Sequence, residues 1–396
     1  MRLKDNKRVL YISPDGLMEP LGDSQVLKYL ENLALDFQIE LISFEKAEDL
    51  NDQQKFSHIQ KRCSNAGINW HFKKYRKNIF LISQLSNMLN FLLFPLILMA
   101  RKKIAIVHIR SYMPGLTIPL ISLFFNFKFI FDIRGFWADE KHDRLGWSKQ
   151  SAKYKFFKQL EIYLFRRADA IVTLTNGAKK YIQTKFNKDI RKIFVIRTCV
   201  DFQEFQPSKN LKDTQNLVIG YLGTIDTAYN FDSFLALIKD IKKYHQQIEV
   251  RLLTKATRED IEPYLIKHNI QDINITNQYL RRDQLRDAII QFDLLAFCLK
   301  ENFSILASMP TKIGESLACG IPILCNSFNE DIEQIITSEG VGEIYDFHEA
   351  LTEKKFNALL LKIKSENISK LCSDFSQKEF SLDSGTLSYK KIYQGI

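Results

Sequence analysis

The sequence predicts an α/β protein of two doubly wound domains, each built on a parallel sheet covered by helices on both faces. Three observations carry this. The chain has 396 residues, beyond the roughly 250–300 over which a single hydrophobic core grows. Short apolar runs alternate with helical stretches almost throughout, the pattern of strand–helix–strand units. Several of those runs are apolar at nearly every position, as strands buried on both faces require. Composition agrees with a folded globular chain: 45% of residues are hydrophobic and 26% charged, and 30 Phe with 15 Tyr suffice for large cores.

Taken in order, the first series of expected strands covers residues 8–13, 38–43, 68–72, 104–109, 127–132, 170–174 and 192–196. Residues 201–216 then break the pattern: they are polar, contain Pro207 and lack periodicity. A second series follows at 217–222, 248–253, 292–297, 321–325 and 342–345. The resulting division is 1–204 and 205–384, with a terminal stretch 385–396. In open α/β sheets ligands bind beyond the carboxyl ends of strands, and two such sheets facing each other would enclose a cleft. The loops after strands are therefore where chemistry is expected.

The net charge of +10 favours anionic partners such as acidic headgroups or phosphorylated substrates, or simply keeps the chain soluble. Nucleic acid is not expected as a partner. Zinc-type Cys/His spacing and an RNA-binding aromatic signature are both lacking, and the basic residues are scattered. Six cysteines form no Cys-x-x-Cys pair and sit in apolar contexts, which reads as buried thiols of a reducing compartment. Residues 1–8 are charged and lack the apolar core of a signal peptide, so the expected location is cytoplasmic. Residues 79–100 carry no charge and precede Arg101-Lys102-Lys103. About 20 apolar residues can span a bilayer, but Ser83, Gln84, Ser86, Asn87, Asn90 and Pro95 interrupt this run. It reads as a buried or interface-lying helix rather than a span.

Three loops carry candidate chemistry. The first follows residues 8–13 and leads into a helix with Val26, Leu27, Leu30, Leu33 and Ala34 on its apolar face. Asp23 or Ser24 suits its N-cap, and Gly22 lets backbone approach a ligand. The loop is either an ordinary capped turn or an anion site. The second, Asp132-Ile133-Arg134-Gly135-Phe136-Trp137, puts charged residues beside Gly and Trp at a strand end. Asp132 would position a hydroxyl and Arg134 neutralise a phosphate, or the two would merely anchor the loop. His108, at the end of the preceding strand, is either a satisfied core group or part of the same site.

The third runs from Ala307 to Leu324 as a loop, a helix opening at Pro310, a stop at Gly320 and a buried strand. Amides around residues 308–312 would hold phosphate, with Lys312 adding charge. Glu315, an acceptor when ionised, suits vicinal ribose hydroxyls, or simply stands favourably near a helix N-terminus.

Pro310-Thr-Lys-Ile-Gly-Glu315-Ser-Leu-Ala-Cys-Gly320-Ile-Pro322 resembles the donor-site helix of family-four retaining glycosyltransferases, which have the GT-B fold. Pro20-Leu-Gly22-Asp-Ser24-Gln25-Val-Leu and Asp132-Ile-Arg134-Gly135-Phe-Trp137 are similar to segments of bacterial members that build polysaccharide and lipopolysaccharide. Val195-Ile-Arg197-Thr-Cys199-Val-Asp201 resembles their interdomain segment, with Arg197 in place of Pro, and Gly220-Tyr-Leu-Gly223 their glycine turn. The matches run in the expected order over nearly the whole chain.

The resemblance implies two Rossmann-like domains. The second would bind a nucleoside-diphosphate sugar through Gly223, Thr224, Ser308, Met309, Thr311, Lys312 and Glu315, with Gly22 contributing from the first. The first would bind a glycan or lipid-linked acceptor, with His108, Asp132 and Arg134 as the catalytic set. It also implies a last helix returning to the first domain, no cofactor and no metal, and transfer with retention by same-face attack. Three positions depart from the family: Ala307 replaces the first of two glutamates, and Thr224 and Asn230 replace an Arg and a Lys. Lys312, Arg134 or Arg110 would have to supply the missing charge. A sugar-nucleotide epimerase and a non-catalytic sugar-nucleotide-binding partner subunit are the alternative readings. Basic charge with the apolar segments 79–100 and 113–130 suits an anionic membrane surface, placing the protein at the inner face of the plasma membrane.

Overall fold

The computed structural model describes residues 7–75, 81–208, 216–226 and 228–396. Residues 1–6 and 79–80, and part of the expected linker at 209–215, lie outside the described residues. The chain divides into two compact units. One comprises Met1–Arg197 with Leu382–Ile396, the other Thr198–Ser381.

The first unit holds seven strands: β1 (Arg8–Ser13), β2 (Gln38–Lys46), β3 (Asn69–Tyr75), β4 (Ile106–Arg110), β5 (Lys128–Asp132), β6 (Ala170–Thr173) and β7 (Ile193–Val195). All pair in parallel in the order β3-β2-β1-β4-β5-β6-β7. The central β1 is buried along Val9–Ser13, and Val9 lies level with Ile39 on one side and Ile106 on the other. The strands at the centre, β1, β4 and β6, are buried along nearly their whole length, as strands covered on both faces are, whereas the edge strand β3 is largely exposed.

The second unit holds β8 (Leu217–Leu222), β9 (Ile248–Leu253), β10 (Asn274–Gln278), β11 (Leu294–Phe297), β12 (Ile323–Cys325) and β13 (Gly342–Ile344). They pair in parallel in the order β10-β9-β8-β11-β12-β13. Each sheet therefore reverses its winding beside its first strand, between β1 and β4 and between β8 and β11. Ligand crevices of doubly wound sheets form at such reversals.

The structure corrects several expectations. Strand β10 has no counterpart in the sequence reading, because only Ile275 of its five residues is buried. The first helical segment begins at Pro20, not at Asp23 or Ser24, and Asp23 lies in a π-helical turn closed by the Lys28 amide on its carbonyl. Arg62 takes the Asp23 carboxylate at 2.6 Å, so Asp23 caps nothing. The two compact units divide at Arg197/Thr198. Thr198 Oγ1 donates to the Met309 carbonyl at 3.1 Å and the Val200 amide to Phe380 at 2.7 Å, which ties this segment into the second unit.

The helix Leu81–Arg101 contains Pro95 and exposes Leu89, Leu93 and Ile97, one residue per turn on one face. Among the described residues no helix is long and apolar enough to cross a membrane. All six cysteines are buried and free. The last helix, Leu382–Gly395, belongs to the first unit, with Tyr389, Ile392 and Tyr393 on its buried face.

Candidate active site

In the first unit the ends of β4 and β5 bring His108, Arg110 and Asp132 side by side, since Arg110 lies level with Asp132 in the register. The chain then turns through Arg134 at φ 54° and Gly135 at φ 153°. A left-handed Arg is strained, and its surroundings must hold it there. Arg134 Nε lies 3.2 Å from Asp132 Oδ2, and His108 Nε2 lies 3.8 Å from the same oxygen. Tyr389 donates its hydroxyl to Asp132 Oδ2 at 2.8 Å, and Tyr393 Oη meets His108 Nδ1 at 2.7 Å. Arg110 Nε donates to Asp15 at 2.8 Å.

Burial would raise the Asp132 carboxyl, but Arg134, the His108 contact and Arg110 outweigh it and hold the carboxyl down at about 2. Burial lowers His108 below the usual histidine value against the pull of Asp132, so the ring is neutral at pH 7. His108 is 1% exposed and Asp132 0%. The three expected catalytic residues are thus brought together, but His108 and Asp132 are sealed inside a network that fastens the Arg134 loop to the last helix. Within it His108 Nε2, Asp132 Oδ1 and the three Arg134 guanidinium nitrogens are buried with no hydrogen-bond partner among the described residues. Tyr389 and Tyr393 are the members that sequence reasoning missed. Their spacing of four on an apolar helix face reads as ordinary core.

Gly22 also takes a different place. A Cβ there would lie 1.9 Å from the Gly16 carbonyl oxygen. Its missing side chain lets the loop cross closely over itself.

The second unit gathers the other expected residues at the carboxyl ends of β8 and β11. Gly223 follows β8 at φ 137°. Helix Thr311–Ala318, capped by Pro310 and stopped by Gly320 at φ 78°, presents Lys312 and Glu315. Lys312 is buried, and its Nζ donates to the Leu222 carbonyl. The rings of Tyr229, Phe297 and Tyr221 stand 3.8, 4.2 and 5.4 Å from it. No salt bridge reaches Lys312 among the described residues, and burial pushes it well below the usual lysine range, with Cys325 and Glu315 opposing weakly. A Cβ on Gly223 would lie 3.3 Å from Nζ.

Ser308 and Met309 lead into this helix as extended backbone. The Ser308 carbonyl accepts from Asn329 Nδ2 at 3.0 Å, and Met309 is buried. Thr311 opens the helix. Thr224 turns its hydroxyl to the Asp226 carbonyl at 3.3 Å, while Asn230 caps the following helix by accepting from the Ser233 amide at 3.2 Å. Neither replaces the charge the family carries there. Ala307 is wholly buried. Glu315 Oε1 accepts from Arg282 Nη1 at 2.8 Å, and Arg282 is a third residue the sequence did not reveal. Among the described residues no three His, Cys, Asp or Glu side chains gather as metal ligands.

Comparison with known proteins is consistent across both units. Residues 27–204 match the model of Glycosyltransferase Family 4, and residues 202–379 that of Glycosyl transferases group 1. No curated protein matches the chain by sequence. Among solved structures, the fold is similar to sucrose-phosphate synthase from Thermosynechococcus elongatus, with a TM-score of 0.73, 12% identity and coverage of 98% of this chain and 99% of that one. A glycosyltransferase from Rickettsia africae gives a TM-score of 0.68 at 16% identity, covering 99% and 98%. Anabaena Alr3699/HepE, solved in complex with UDP and glucose, gives 0.67 at 11% identity, covering 99% and 100%. Two parallel α/β units in this order, each matched by its own glycosyltransferase model, show that the chain belongs to the glycosyltransferases of the GT-B fold.

Proposed function

We propose that this glycosyltransferase moves a sugar from a nucleoside-diphosphate sugar to a glycan or lipid-linked acceptor, with retention at the anomeric carbon. The observation that carries the donor assignment is the buried Lys312 ammonium directly beneath the bare turn at Gly223. An uncompensated buried cation is costly, and an anion brought to that turn would complete it. The diphosphate is the leaving group, so charge held there stabilises the transition state as the sugar–phosphate bond breaks. Lys312, with the amides of Ser308–Lys312, takes the place of the family's Arg and Lys. Glu315 receives the ribose. The acceptor hydroxyl attacks from the face the diphosphate leaves, and its proton passes to a donor phosphate oxygen. His108, Asp132 and Arg134 shape the acceptor side from within. With Lys312 as counter-charge the reaction needs no divalent ion, and turnover in excess chelator should be unchanged.

The donor reading is tested by thermal shift against nucleoside diphosphates and their sugars. A ligand at about 100 times its dissociation constant adds about 2.7 kcal/mol of stability. One base should shift the melting point clearly, and Lys312→Met and Glu315→Ala should abolish the shift. Full affinity in both variants would sink the assignment. The anomer of the product, read by NMR, decides retention.

For the acceptor we propose access from an anionic membrane at the inner face of the plasma membrane. Leu89, Leu93 and Ile97 form an exposed apolar stripe, and Leu123 and Phe124 are exposed in the turn that ends the short helix Ile118–Ser122. The two segments touch, with Thr117 Oγ1 donating to the Leu92 carbonyl at 3.3 Å. Arg101, Lys102 and Lys103 follow the stripe. Co-sedimentation with vesicles containing phosphatidylglycerol, reduced in Leu93→Glu, is the expected result; indifference to such vesicles overturns it.

A further inference from the structure

We infer that Arg282 is a positioning residue for donor recognition: it holds one oxygen of the Glu315 carboxylate, so that the other is aimed at a ribose hydroxyl. The inference rests on the donor reading of Glu315. Arg282 opens the helix Arg282–Ile289, which follows the edge strand β10, while Glu315 sits on the helix after β11. Between them Arg282 Nη1 donates to Glu315 Oε1 at 2.8 Å, with side chains 16% and 5% exposed. The guanidinium is itself fixed on two further sides. Its carbon stands 5.0 Å from the centroid of the buried Phe205 ring, and its Nε lies 3.3 Å from Glu204 Oε2.

Two consequences follow from chemistry. A carboxylate with both oxygens free rotates about its last bond, whereas one oxygen tied to a fixed guanidinium sets the plane of the other. A bare carboxylate beside a diphosphate would also repel it, and the paired guanidinium cancels that charge locally. Lysine would supply the charge but not the rigid fork, so the two effects separate by substitution.

The experiment measures binding of UDP, GDP and ADP, each with its 2′-deoxy and 3′-deoxy counterparts, to wild type, Arg282→Met, Arg282→Lys and Glu315→Gln. The wild type should prefer the ribonucleotide over at least one deoxy form by roughly tenfold, the worth of one charge-assisted hydrogen bond. Arg282→Met should lose most of that preference, with ribonucleotide affinity falling far more than deoxynucleotide affinity, and Glu315→Gln should do the same. Arg282→Lys should keep deoxynucleotide affinity near the wild-type level while losing the preference. It also serves alone if Arg282→Met does not fold, as judged by its unliganded melting curve. Equal loss for ribo and deoxy forms, or a preference kept in Arg282→Lys, overturns the inference while the donor site stands. Failure of every nucleoside diphosphate to bind the wild type overturns the donor reading and this inference with it.

Discussion

Each unit buries a cation just past a strand end, and the two are neutralised in opposite ways. Arg134 in the first unit lies against the fully buried Asp132, and although burial opposes its charge, that carboxylate holds it firmly protonated. Lys312 in the second meets three aromatic rings and a carbonyl, and no carboxylate pairs with it among the described residues. The difference separates two uses of buried charge. A cation matched to its counter-ion inside the fold is a fastener: its charge is paired, even though its guanidinium nitrogens keep no hydrogen-bond partner among the described residues. One bordered by rings and a glycine stays electrostatically incomplete, and an incoming anion can complete it.

Substitutions that remove one charge from each cluster should therefore act with opposite sign. Asp132→Ala leaves Arg134 buried without a counter-ion and should cost about 3–5 kcal/mol of the first unit's stability, read by denaturant unfolding. A loss under about 1 kcal/mol would show that Arg134 finds another partner. Lys312→Met keeps the stem and deletes the charge. It should raise the unliganded stability of the second unit by about 1 kcal/mol while weakening nucleoside diphosphate binding at least tenfold. A destabilised Lys312→Met would erase the contrast. Tyr393→Phe strips His108 of its 2.7 Å partner and should cost about 1–2 kcal/mol for a buried polar group left unpaired.

The smallest effect is a slope. The folded-state pKa of Lys312 lies below its unfolded value. Between the two the unfolded chain binds the extra proton, so stability should rise with pH up to the ordinary lysine range. Lys312→Met should flatten that rise in melting curves taken between pH 7 and 10. An unchanged slope would place the titrating group elsewhere.

What was legible in the chain follows from how local each signal is. Strands β1 and β8 could be read to the residue because burial makes them nearly continuously apolar, and β9 because its apolar residues alternate with Glu249 and Arg251 before Leu252-Leu253. Strand β10 pairs on one side only and alternates Ile275 with polar neighbours, so nothing local marks it. Lys312 and Glu315 stood out because Pro310 and Gly320 punctuate their helix. Arg282 reaches Glu315 across 33 positions and Tyr393 reaches His108 across 285, and no pattern in sequence links such pairs. Gly22 is ambiguous for a related reason, since a glycine needed for a backbone crossing looks the same in sequence as one needed for a ligand.

The return of the last helix sets an order of assembly. Asp132, His108 and Lys7 bond to Tyr389, Tyr393 and the final carbonyls of the chain. During synthesis the residues of β1 to β7 leave the ribosome first, yet their polar centre is closed only by residues made after the entire second unit. The half that is translated first is the half that finishes last. A nascent chain halted before residue 382 would hold the buried charges of the first unit without the hydroxyls that complete them.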